Sequence, residues 1–278
     1  KRMITLVNFA DKRFKSKQKW NSFSAKCFGG IDKVLEYNPN DIEPEILQKN
    51  KESVKYKNKG FGNYFWKPYI IKKALSKVND GEYLFYADSG SFFIKNIKPL
   101  IHHLKNNNKK ILCFSLPLIE KQWTKRDAFI LMDCDEERYS ETTQRMATFL
   151  LLQKSKESID FVEKYVKYCS DSRILSDDKN VLGKENHSEF IEHRHDQSVL
   201  SLLSKNSNHV FVAGDISDYG YFPYNYIEGE NRLFDADYLD ISKNMFKGMV
   251  LSNRNRNPII YLLKYSIKRF FLLLKIKI

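Results

Sequence analysis

The sequence predicts an α/β domain with a mixed, mainly parallel sheet flanked by helices. Short apolar runs alternate along the chain with segments of helical periodicity, which is the pattern of strand–helix–strand units. The chain has 278 residues, of which 42% are hydrophobic and 14% aromatic, so it can bury a sizeable core and differs from a disordered sequence. Its four cysteines form no C-x-x-C pair, which excludes a zinc ribbon and a thioredoxin-type site.

Strands and helices are assigned from the spacing of apolar residues. The run Tyr-Leu-Phe-Tyr-Ala at 83–87 is the clearest buried strand, and 158–168 is the clearest amphipathic helix. Residues 49–59 are lysine-rich and predict a solvated helix or loop, whereas 60–69 and 171–190 predict loops. In chain order, we predict strands at 4–9, 34–37, 83–87, 110–114, 148–153 and 210–212, and helices up to about residue 28 and at 70–78, 97–104, 158–168 and 196–203.

The residues after the clearest strand form the first candidate site. Asp88, Ser89 and Gly90 follow residues 83–87, and ligands of open α/β sheets bind at the carboxyl ends of strands. A carboxylate at this place can hold a divalent cation that neutralises a diphosphate, and Gly90 lets a ligand approach the backbone. The alternative is an aspartate that caps a turn, since turns favour Asp and Gly.

A second candidate site lies where the loop after residue 171 leads into a helix. His193, Arg194, His195 and Asp196 are consecutive there, and Asp196 is expected to cap the helix while its neighbours point at a ligand. The two histidines suit a metal or a phosphate, although they lack an H-E-x-x-H spacing. The alternative is a capping aspartate with histidines on the surface.

A third candidate site is the aromatic segment before the helix at 70–78. Trp66, Lys67, Pro68 and Tyr69 place a cation between aromatic rings. Lys67 is a candidate phosphate ligand, and Trp66 or Tyr69 is a candidate stacking partner for a base or a sugar. The aromatic residues could equally belong to the core.

Charge distribution and missing motifs exclude several classes of protein. Nine of the 47 lysines and arginines follow Asp240, after which no acidic residue occurs, so most of the formal net charge of +13 belongs to the end of the chain. Residues 1–240 are nearly neutral and lack the broad basic face of a nucleic-acid-binding protein, so no nucleic-acid partner is expected. The motifs of P-loop kinases, Rossmann dehydrogenases and α/β-hydrolases are absent from the sequence.

The basic end of the chain predicts a second unit, residues 253–278, after a main domain of residues 1–252. From Pro258 onward, apolar residues alternate with cations. Three of the lysines fall on one side of the predicted helix, namely Lys264, Lys268 and Lys275. Such a helix suits the surface of an anionic membrane, with residues 254–278 as the contact. The alternative is a terminal helix that docks on the protein's own core.

Five segments carry a resemblance to a known family. They read GNYFWKPYII (62–71), DGEYLFYADSG (80–90), EKQWTKRD (120–127), TQRMA (143–147) and EHRHDQS (192–198). In this order, over about residues 4–205, they resemble a family of bacterial GT-A-type glycosyltransferases of capsule and lipopolysaccharide gene clusters. The resemblance implies a GT-A-like, Rossmann-like fold with a nucleotide-sugar donor bound at the ends of the strands.

The resemblance also implies roles for single residues. Asp88 takes the position of a metal ligand in the family's D-x-D motif, with Mn²⁺ or Mg²⁺ as the expected cofactor. Gly90 replaces the second acid, so the metal would be weakly held. Asp196, His195 and Gln197 are the expected catalytic residues, with Asp196 orienting sugar hydroxyls or acting as the base on the acceptor. The remaining expected contacts are, to the donor, Asp11, Trp66, Lys67, Tyr69, Ser89, Gly90 and Arg194, and, to the acceptor, Trp123, Lys125 and Gln144.

The implied function is transfer of a hexose from a nucleotide sugar to a hydroxyl of a growing, lipid-linked surface glycan. Together with the basic tail, this implies a cytoplasmic enzyme that is peripheral on the inner face of the cell membrane. Inverting and retaining mechanisms both stay open. The alternative function is a metal-dependent phosphoesterase for a nucleotide or sugar phosphate, which would use Asp88, His193, His195 and Asp196.

Overall fold

The computed structural model describes residues 2–51 and 60–274, in which strands and helices alternate. The strands are β1 (Ile4–Phe9), β2 (Lys33–Tyr37), β3 (Tyr83–Ala87), β4 (Phe92–Phe93), β5 (Ile111–Ile119), β6 (Thr143–Gln153), β7 (Val210–Ala213) and β8 (Val250–Leu251). The helices are α1 (Lys15–Ser24), α2 (Pro44–Lys49), α3 (Trp66–Ser76), α4 (Lys98–Asn106), α5 (Arg126–Leu131), α6 (Glu137–Ser140), α7 (Lys156–Cys169), α8 (Ser172–Leu175), α9 (Asp196–Lys205), α10 (Tyr224–Ile227) and α11 (Pro258–Leu273).

Six of the strands form the central sheet, in the order β2-β1-β3-β6-β5-β7. β1 is parallel to β2 and β3, and β5 is parallel to β7, whereas β6 runs antiparallel to β3 and β5. The register places Val7 of β1 opposite Leu35 on one side and Tyr86 on the other. The predicted mixed, mainly parallel sheet is therefore confirmed, and β1 and β3 end at the same edge of it.

The sheet is covered on both faces, because strand residues alternate between two apolar cores. Leu84 and Tyr86 of β3 belong to one core, which also contains apolar residues of α3, α7 and α9. Tyr83 and Phe85 belong to the other, which contains apolar residues of α4. Since β3 is buried along its whole length, the first residue of this segment that can meet a ligand is Asp88, where the strand ends.

Most predicted strands and helices are present, and the main difference concerns residues 60–69. The sequence predicts a loop there, whereas α3 already begins at Trp66. Pro68 lies in the first turn of α3, where a helix needs no backbone donor. The preceding Phe61 and Gly62 have left-handed backbone, with φ of 52° and 85°, so α3 starts directly after a left-handed turn. Most of the lysine-rich stretch predicted as a solvated helix or loop lies outside the described residues.

The end of the described chain is attached to the body through β8 and α11. β8 pairs antiparallel with β4. In α11, the Tyr261 hydroxyl donates a 2.6 Å hydrogen bond to Asp218 Oδ2, and the Arg269 guanidinium lies 3.5 Å from the centroid of the Tyr221 ring. One side of α11 therefore docks on the protein, as the alternative interpretation of the tail expected.

The opposite side of α11 is apolar and exposed. Its apolar side chains that are more than half exposed are Ile259, Ile260, Leu263, Ile267, Phe270 and Leu273. Lys264 and Lys268 are exposed as well. Among the helices within residues 2–51 and 60–274, none combines the length and the apolar composition that crossing a membrane requires.

Candidate active site

A cleft of about 600 Å³ opens at the edge of the sheet where β1 and β3 end. Residues that end or follow these strands, or belong to β6, line one side of it, among them Phe9, Asp11, Asp88, Ser89, Gly90 and Thr148. Two later segments line the other side through Ser217, Tyr219, Tyr226, Ser252, Arg254 and Asn255. Of the residues expected to bind the donor, Asp11, Trp66, Ser89 and Gly90 lie at this cleft.

Lys67 forms the buried centre of the site, next to the cleft. Its side chain is 4% exposed, and its ammonium lies 2.7 Å from Asp196 Oδ2 and 3.4 Å from Asp88 Oδ1. The same nitrogen donates to the carbonyl of Ala147 at 3.2 Å. The ammonium is thus held between two carboxylates and a carbonyl oxygen. Burial lowers the pKa of Lys67, but the two carboxylates outweigh burial and raise that pKa above its ordinary value, so Lys67 stays a cation.

Asp88 is the acid of this group that faces the cleft. Its side chain is 40% exposed, and Oδ1 accepts a 2.5 Å hydrogen bond from the Tyr86 hydroxyl besides its contact with Lys67. The backbone N–H of Asp88 donates to Thr148 at 3.0 Å, which fixes the end of β3 against β6. Lys67 therefore positions Asp88 and is turned away from the cleft. This corrects the expectation that Lys67 binds a phosphate.

Asp196 is the first residue of α9 and follows a strained residue. The expected capping role of Asp196 is wrong, because His195 occupies the cap position and the Asp196 carboxylate turns to Lys67 instead. His195 has φ 50° and ψ −123°, a conformation that side-chain-bearing residues avoid, and its Nδ1 lies 3.0 Å from the Leu175 carbonyl. Burial raises the pKa of Asp196, and Lys67 opposes that shift.

Gln197 joins the site to a buried polar network. Its Nε2 donates to Gln144 Oε1 at 2.8 Å, and its Oε1 accepts from the backbone N–H of Ala147 at 3.4 Å. Gln144 in turn donates to Glu120 Oε1 at 3.0 Å, and Glu120 Oε2 lies 2.7 Å from Lys205 Nζ. Buried networks whose members are all partnered hold their groups rigidly. This network therefore holds Ala147, the residue whose carbonyl accepts from the central ammonium.

The residues expected to bind the acceptor are buried and do not line the cleft. Trp123, Lys125 and Gln144 are at most 2% exposed. Trp123 is covered by the Arg194 guanidinium, which lies 3.9 Å from the ring centroid. Lys125 Nζ donates to the carbonyl of Asp178 at 2.8 Å. In this structure the three residues therefore lie outside the lining of the cleft, and their contact with an acceptor stays a prediction.

Three residues expected at the donor already have partners within the protein. Arg194 stacks on Trp123 and does not line the cleft. The Tyr69 hydroxyl lies 2.7 Å from Ser170 Oγ, and the Tyr69 ring packs against the core. Trp66 does line the cleft, but one face of its ring is stacked on a phenylalanine at a centroid distance of 3.8 Å. Direct donor contacts by Arg194 and Tyr69 are thus corrected as well.

The two histidines form neither a surface pair nor a metal site. His193 is 4% and His195 5% exposed. His193 Nδ1 accepts from the backbone N–H of Lys125 at 3.2 Å, and burial lowers the pKa of His193, which keeps it neutral. Within the described part of the chain, no three His, Cys, Asp or Glu residues are grouped as ligands of one metal ion. The metal-bound arrangement needed by a phosphoesterase is thus not found there.

Arg254 is a cleft residue that sequence reasoning missed. Its backbone N–H donates to the carbonyl of Gly90 at 2.7 Å. A Cβ atom at position 90 would lie 3.1 Å from Arg254 Cα, so Gly90 makes room for the chain that crosses it. The Arg254 side chain is exposed and lines the cleft, and it pairs with no carboxylate of residues 2–51 or 60–274.

The acids of the cleft do not suit a divalent cation. Among the described residues that line it, the carboxylates are those of Asp11 and Asp88. Asp11 Oδ2 is paired with Arg13 at 2.9 Å, and Asp88 Oδ1 lies 3.4 Å from the Lys67 ammonium. Magnesium and calcium sites draw on several oxygen ligands, whereas one carboxylate beside a cation offers a single, unfavourable position. These residues do not fit the metal that the resemblance implies.

The chain matches solved structures but no sequence family. No protein-family model matches it, and no curated protein matches it in sequence. The bifunctional glycosyltransferase WbbM gives a TM-score of 0.50 at 10% identity, over 90% of this chain and 45% of that chain. Mouse xyloside xylosyltransferase 1 gives 0.45 at 9% identity, over 90% of this chain and 97% of that chain. Galactosyltransferase LgtC in complex with donor and acceptor sugar analogues gives 0.46 at 13% identity, over 95% of each chain.

At these identities the likeness is one of fold. The chain spans less than half the length of WbbM. Its six-stranded mixed sheet, flanked by helices, is of the kind found in GT-A glycosyltransferases. The fold class predicted from the sequence is therefore confirmed.

Proposed function

We propose that the protein is a glycosyltransferase that moves a hexose from a nucleotide sugar to a hydroxyl group of a glycan. The observation that carries the proposal is the position of Asp88. It ends a buried strand, faces the cleft, and is tied through Lys67 to the buried Asp196. A cleft of about 600 Å³ is in the size range of sites for small organic ligands and cofactors. The likeness in fold to glycosyltransferases supports the same function.

The cleft offers suitable groups for both halves of such a donor. Asp88 presents an exposed carboxylate that can accept hydrogen bonds from sugar hydroxyls, so we place the sugar beside it. Asp11 lies near the end of β1 and orients Arg13 at the cleft. Tyr219 and Tyr226 line the opposite side, with ring centroids 5.0 Å apart, and provide aromatic surface for a sugar or a base.

In the proposed reaction, the bond between the anomeric carbon and the diphosphate breaks, and its electron pair stays on the diphosphate oxygen. The acceptor oxygen forms the new bond to the anomeric carbon, and its proton is released to water. The three residues expected to be catalytic contribute by positioning groups. Asp196 acts through its pair with Lys67, His195 through its strained backbone, and Gln197 through its bond to β6.

The acceptor that we propose is a lipid-linked surface glycan, reached from the inner face of the cell membrane. Two features of α11 support this part of the proposal. Its outer side carries apolar residues that are more than half exposed, and Lys264 and Lys268 are exposed with them. An apolar side with adjacent lysines matches an anionic lipid surface, where acyl chains take the apolar groups and headgroups take the charges.

Donor binding and turnover test the proposed function. Purified protein is mixed with sugar conjugates of uridine, guanosine, cytidine and thymidine diphosphate, and thermal stability and release of the nucleoside diphosphate are followed with and without added glycans. We expect one donor class to stabilise the protein, and Asp88→Ala to abolish both effects. Asp80→Ala is the matched control, since the Asp80 side chain is 92% exposed. The proposal fails if no donor binds, or if a donor is hydrolysed and no glycan ever receives the sugar.

A further inference from the structure

We propose that the cleft binds the diphosphate of its nucleotide ligand with Arg254 and Arg13, in place of a divalent cation held by the protein. The inference rests on the proposed function, because it takes the ligand to be a nucleoside diphosphate or its sugar conjugate. Three features carry it. The acids of the cleft are already engaged, the chain that crosses Gly90 carries an arginine, and the Arg254 side chain is exposed at the cleft on an anchored backbone.

Asp11 is engaged through both of its carboxylate oxygens. Oδ1 accepts from the backbone N–H groups of Arg13 and Phe14 at 2.9 and 3.2 Å. Oδ2 accepts from Arg13 Nε at 3.0 Å. Asp11 therefore shapes the turn after β1 and orients Arg13, and a metal ion would have to displace these bonds.

Asp88 is engaged on the side that faces the core. Oδ1 accepts from the Tyr86 hydroxyl at 2.5 Å, and the Lys67 ammonium forms an ion pair with it at 3.4 Å. A divalent cation on this carboxylate would lie close to the permanent charge of Lys67, and like charges in a site of reduced dielectric repel strongly. The second oxygen suits a neutral hydroxyl donor better than a metal ion.

The absence of a side chain at Gly90 makes room for Arg254, which brings a positive charge to the cleft. Gly90 stands where a second acid would complete a D-x-D motif, and it carries no side chain. The space that a Cβ would enter is taken by the backbone of Arg254, whose Cα would lie 3.1 Å away. The chain thus places an arginine, rather than a carboxylate, beside the residues that follow β3.

Arg254 is held in place by its neighbours. Its N–H bond to Gly90 anchors the backbone, which is in the left-handed region at Arg254, with φ of 49°. The same loop is tied down at the Arg256 carbonyl, which accepts from Asn253 Nδ2 at 2.9 Å and from Lys17 Nζ at 2.7 Å. A guanidinium on this anchored backbone can bind two phosphate oxygens at once, which is the geometry that arginine offers and lysine does not.

Arg13 completes the proposed phosphate site from a second segment. Its side chain is 64% exposed and lies at the cleft. A guanidinium has five hydrogen-bond donors, so Arg13 can keep its contacts with Asp11 and still bind a phosphate oxygen. When the donor bond breaks, the two arginines would offset the negative charge that stays on the diphosphate.

The test is titration calorimetry of the full chain with UDP, GDP, CDP and dTDP and with the corresponding monophosphates, in EDTA and in Mn²⁺. We expect one diphosphate to bind in EDTA with an affinity within about threefold of that in Mn²⁺. Arg254→Gln should lower the affinity for that diphosphate by at least about tenfold. This is the loss expected when a charge-assisted, two-point contact is removed. The matching monophosphate should bind the variant and the unmodified protein about equally, because it lacks the second phosphate.

Two further variants make the result specific. Arg256→Gln is the matched control, since Arg256 lies in the same loop but contacts the Tyr261 ring at 5.5 Å and does not line the cleft. We expect this variant to bind the diphosphate with unchanged affinity. Arg254→Lys keeps the positive charge but lacks the paired N–H donors of a guanidinium, so it should retain part of the affinity. This variant also gives a result if Arg254→Gln fails to fold. Binding only in Mn²⁺, with Arg254→Gln unimpaired, would overturn the inference and leave the proposed function standing. Binding of no diphosphate in either buffer would overturn both.

Discussion

Asp196 Oδ2 lies 2.7 Å from Lys67 Nζ, with both side chains at most 5% exposed. The pair joins the first turn of α3 to the first turn of α9. Because Lys67 also contacts Asp88, the position of the Asp88 carboxylate at the cleft depends on the buried ion pair of Lys67 with Asp196. Breaking a buried pair by removing one partner leaves an uncompensated charge, which is among the more destabilising single changes.

Lys67→Met should therefore impair both stability and function. We expect the free energy of unfolding to fall by about 3–5 kcal/mol, measured by urea denaturation, and donor binding to be lost because Asp88 and Asp196 repel each other without the cation. Lys72→Met is the matched control on the same helix, since Lys72 is 48% exposed and pairs with an exposed Glu163. Its effect should stay below about 1 kcal/mol. Equal stability of the two variants would contradict the central role of Lys67.

The buried Asp215 should make stability depend on pH. Burial raises the pKa of Asp215 to about 6 against an ordinary value of 3.8, although bonds from Ser217 and Tyr226 oppose the shift. Between these two pH values the folded protein binds more protons than the unfolded chain, so stability is greatest at the acidic end and falls as pH rises.

Asp215→Asn removes this titration. The stability of the unmodified protein relative to the variant should therefore decline by roughly 2–3 kcal/mol from pH 4 to pH 6, as measured by chemical denaturation at each pH. Above about pH 7, where Asp215 is ionised in the folded protein as well, the difference should be constant. A difference that does not change across this range would mean that Asp215 titrates normally, whatever the variant's stability.

Gly90→Ala should disturb the wall of the cleft without touching any charged group. The new methyl would lie 3.1 Å from Arg254 Cα, so either the loop around Arg254 shifts or the contact stays compressed. We expect a loss of about 1–3 kcal/mol in thermal or urea unfolding, as for other overpacked sites, and weaker diphosphate binding in calorimetry. Unchanged affinity would show that this contact does not place Arg254.

The outer side of α11 can be altered without changing its docked side. Leu263 and Phe270 are each 59% exposed, and changing both to Asp leaves the bond between Tyr261 and Asp218 in place. We expect the double variant to lose flotation with phosphatidylglycerol vesicles and to bind nucleotides normally. Phosphatidylcholine vesicles serve as the neutral control and should bind the unmodified protein less well. Equal flotation of both proteins with anionic vesicles would rule out α11 as the lipid contact.

The parts of the fold that depend on local pattern could be predicted from the sequence. The uncharged run of β3 identifies both the central strand and the exposed Asp88 that ends it, and the start of α9 is marked by the segment around Asp196. Lys67 was misassigned because its burial depends on an early start of α3, which turns the side chain towards Asp196 and Ala147. A lysine next to aromatic rings has the same local pattern on a surface and in a core.

The remaining differences concern contacts between distant segments. The expected contacts of Trp123 and Gln144 with an acceptor follow from the family resemblance of the segments 120–127 and 143–147. In the structure, these two side chains are held by Arg194 and by the buried pair of Glu120 with Lys205. The residues next to a polar side chain in the sequence do not indicate whether a distant segment of the chain will bury it. Arg254 escaped prediction for the same reason, because only the pairing of two two-residue strands, β4 and β8, brings it to the cleft.

The pairing of β8 with β4 limits how far the cleft can lie from α11. The chain passes from Arg254 to Pro258 in four residues, a tether that spans no more than about 14 Å. With α11 lying flat on a bilayer, the wall of the cleft at Arg254 would stay within that distance of the start of α11, with no longer linker between them to let the domain swing outward. Such an enzyme would reach only the sugars nearest the lipid, and so would add its hexose early in chain growth rather than at the tip of a long polymer.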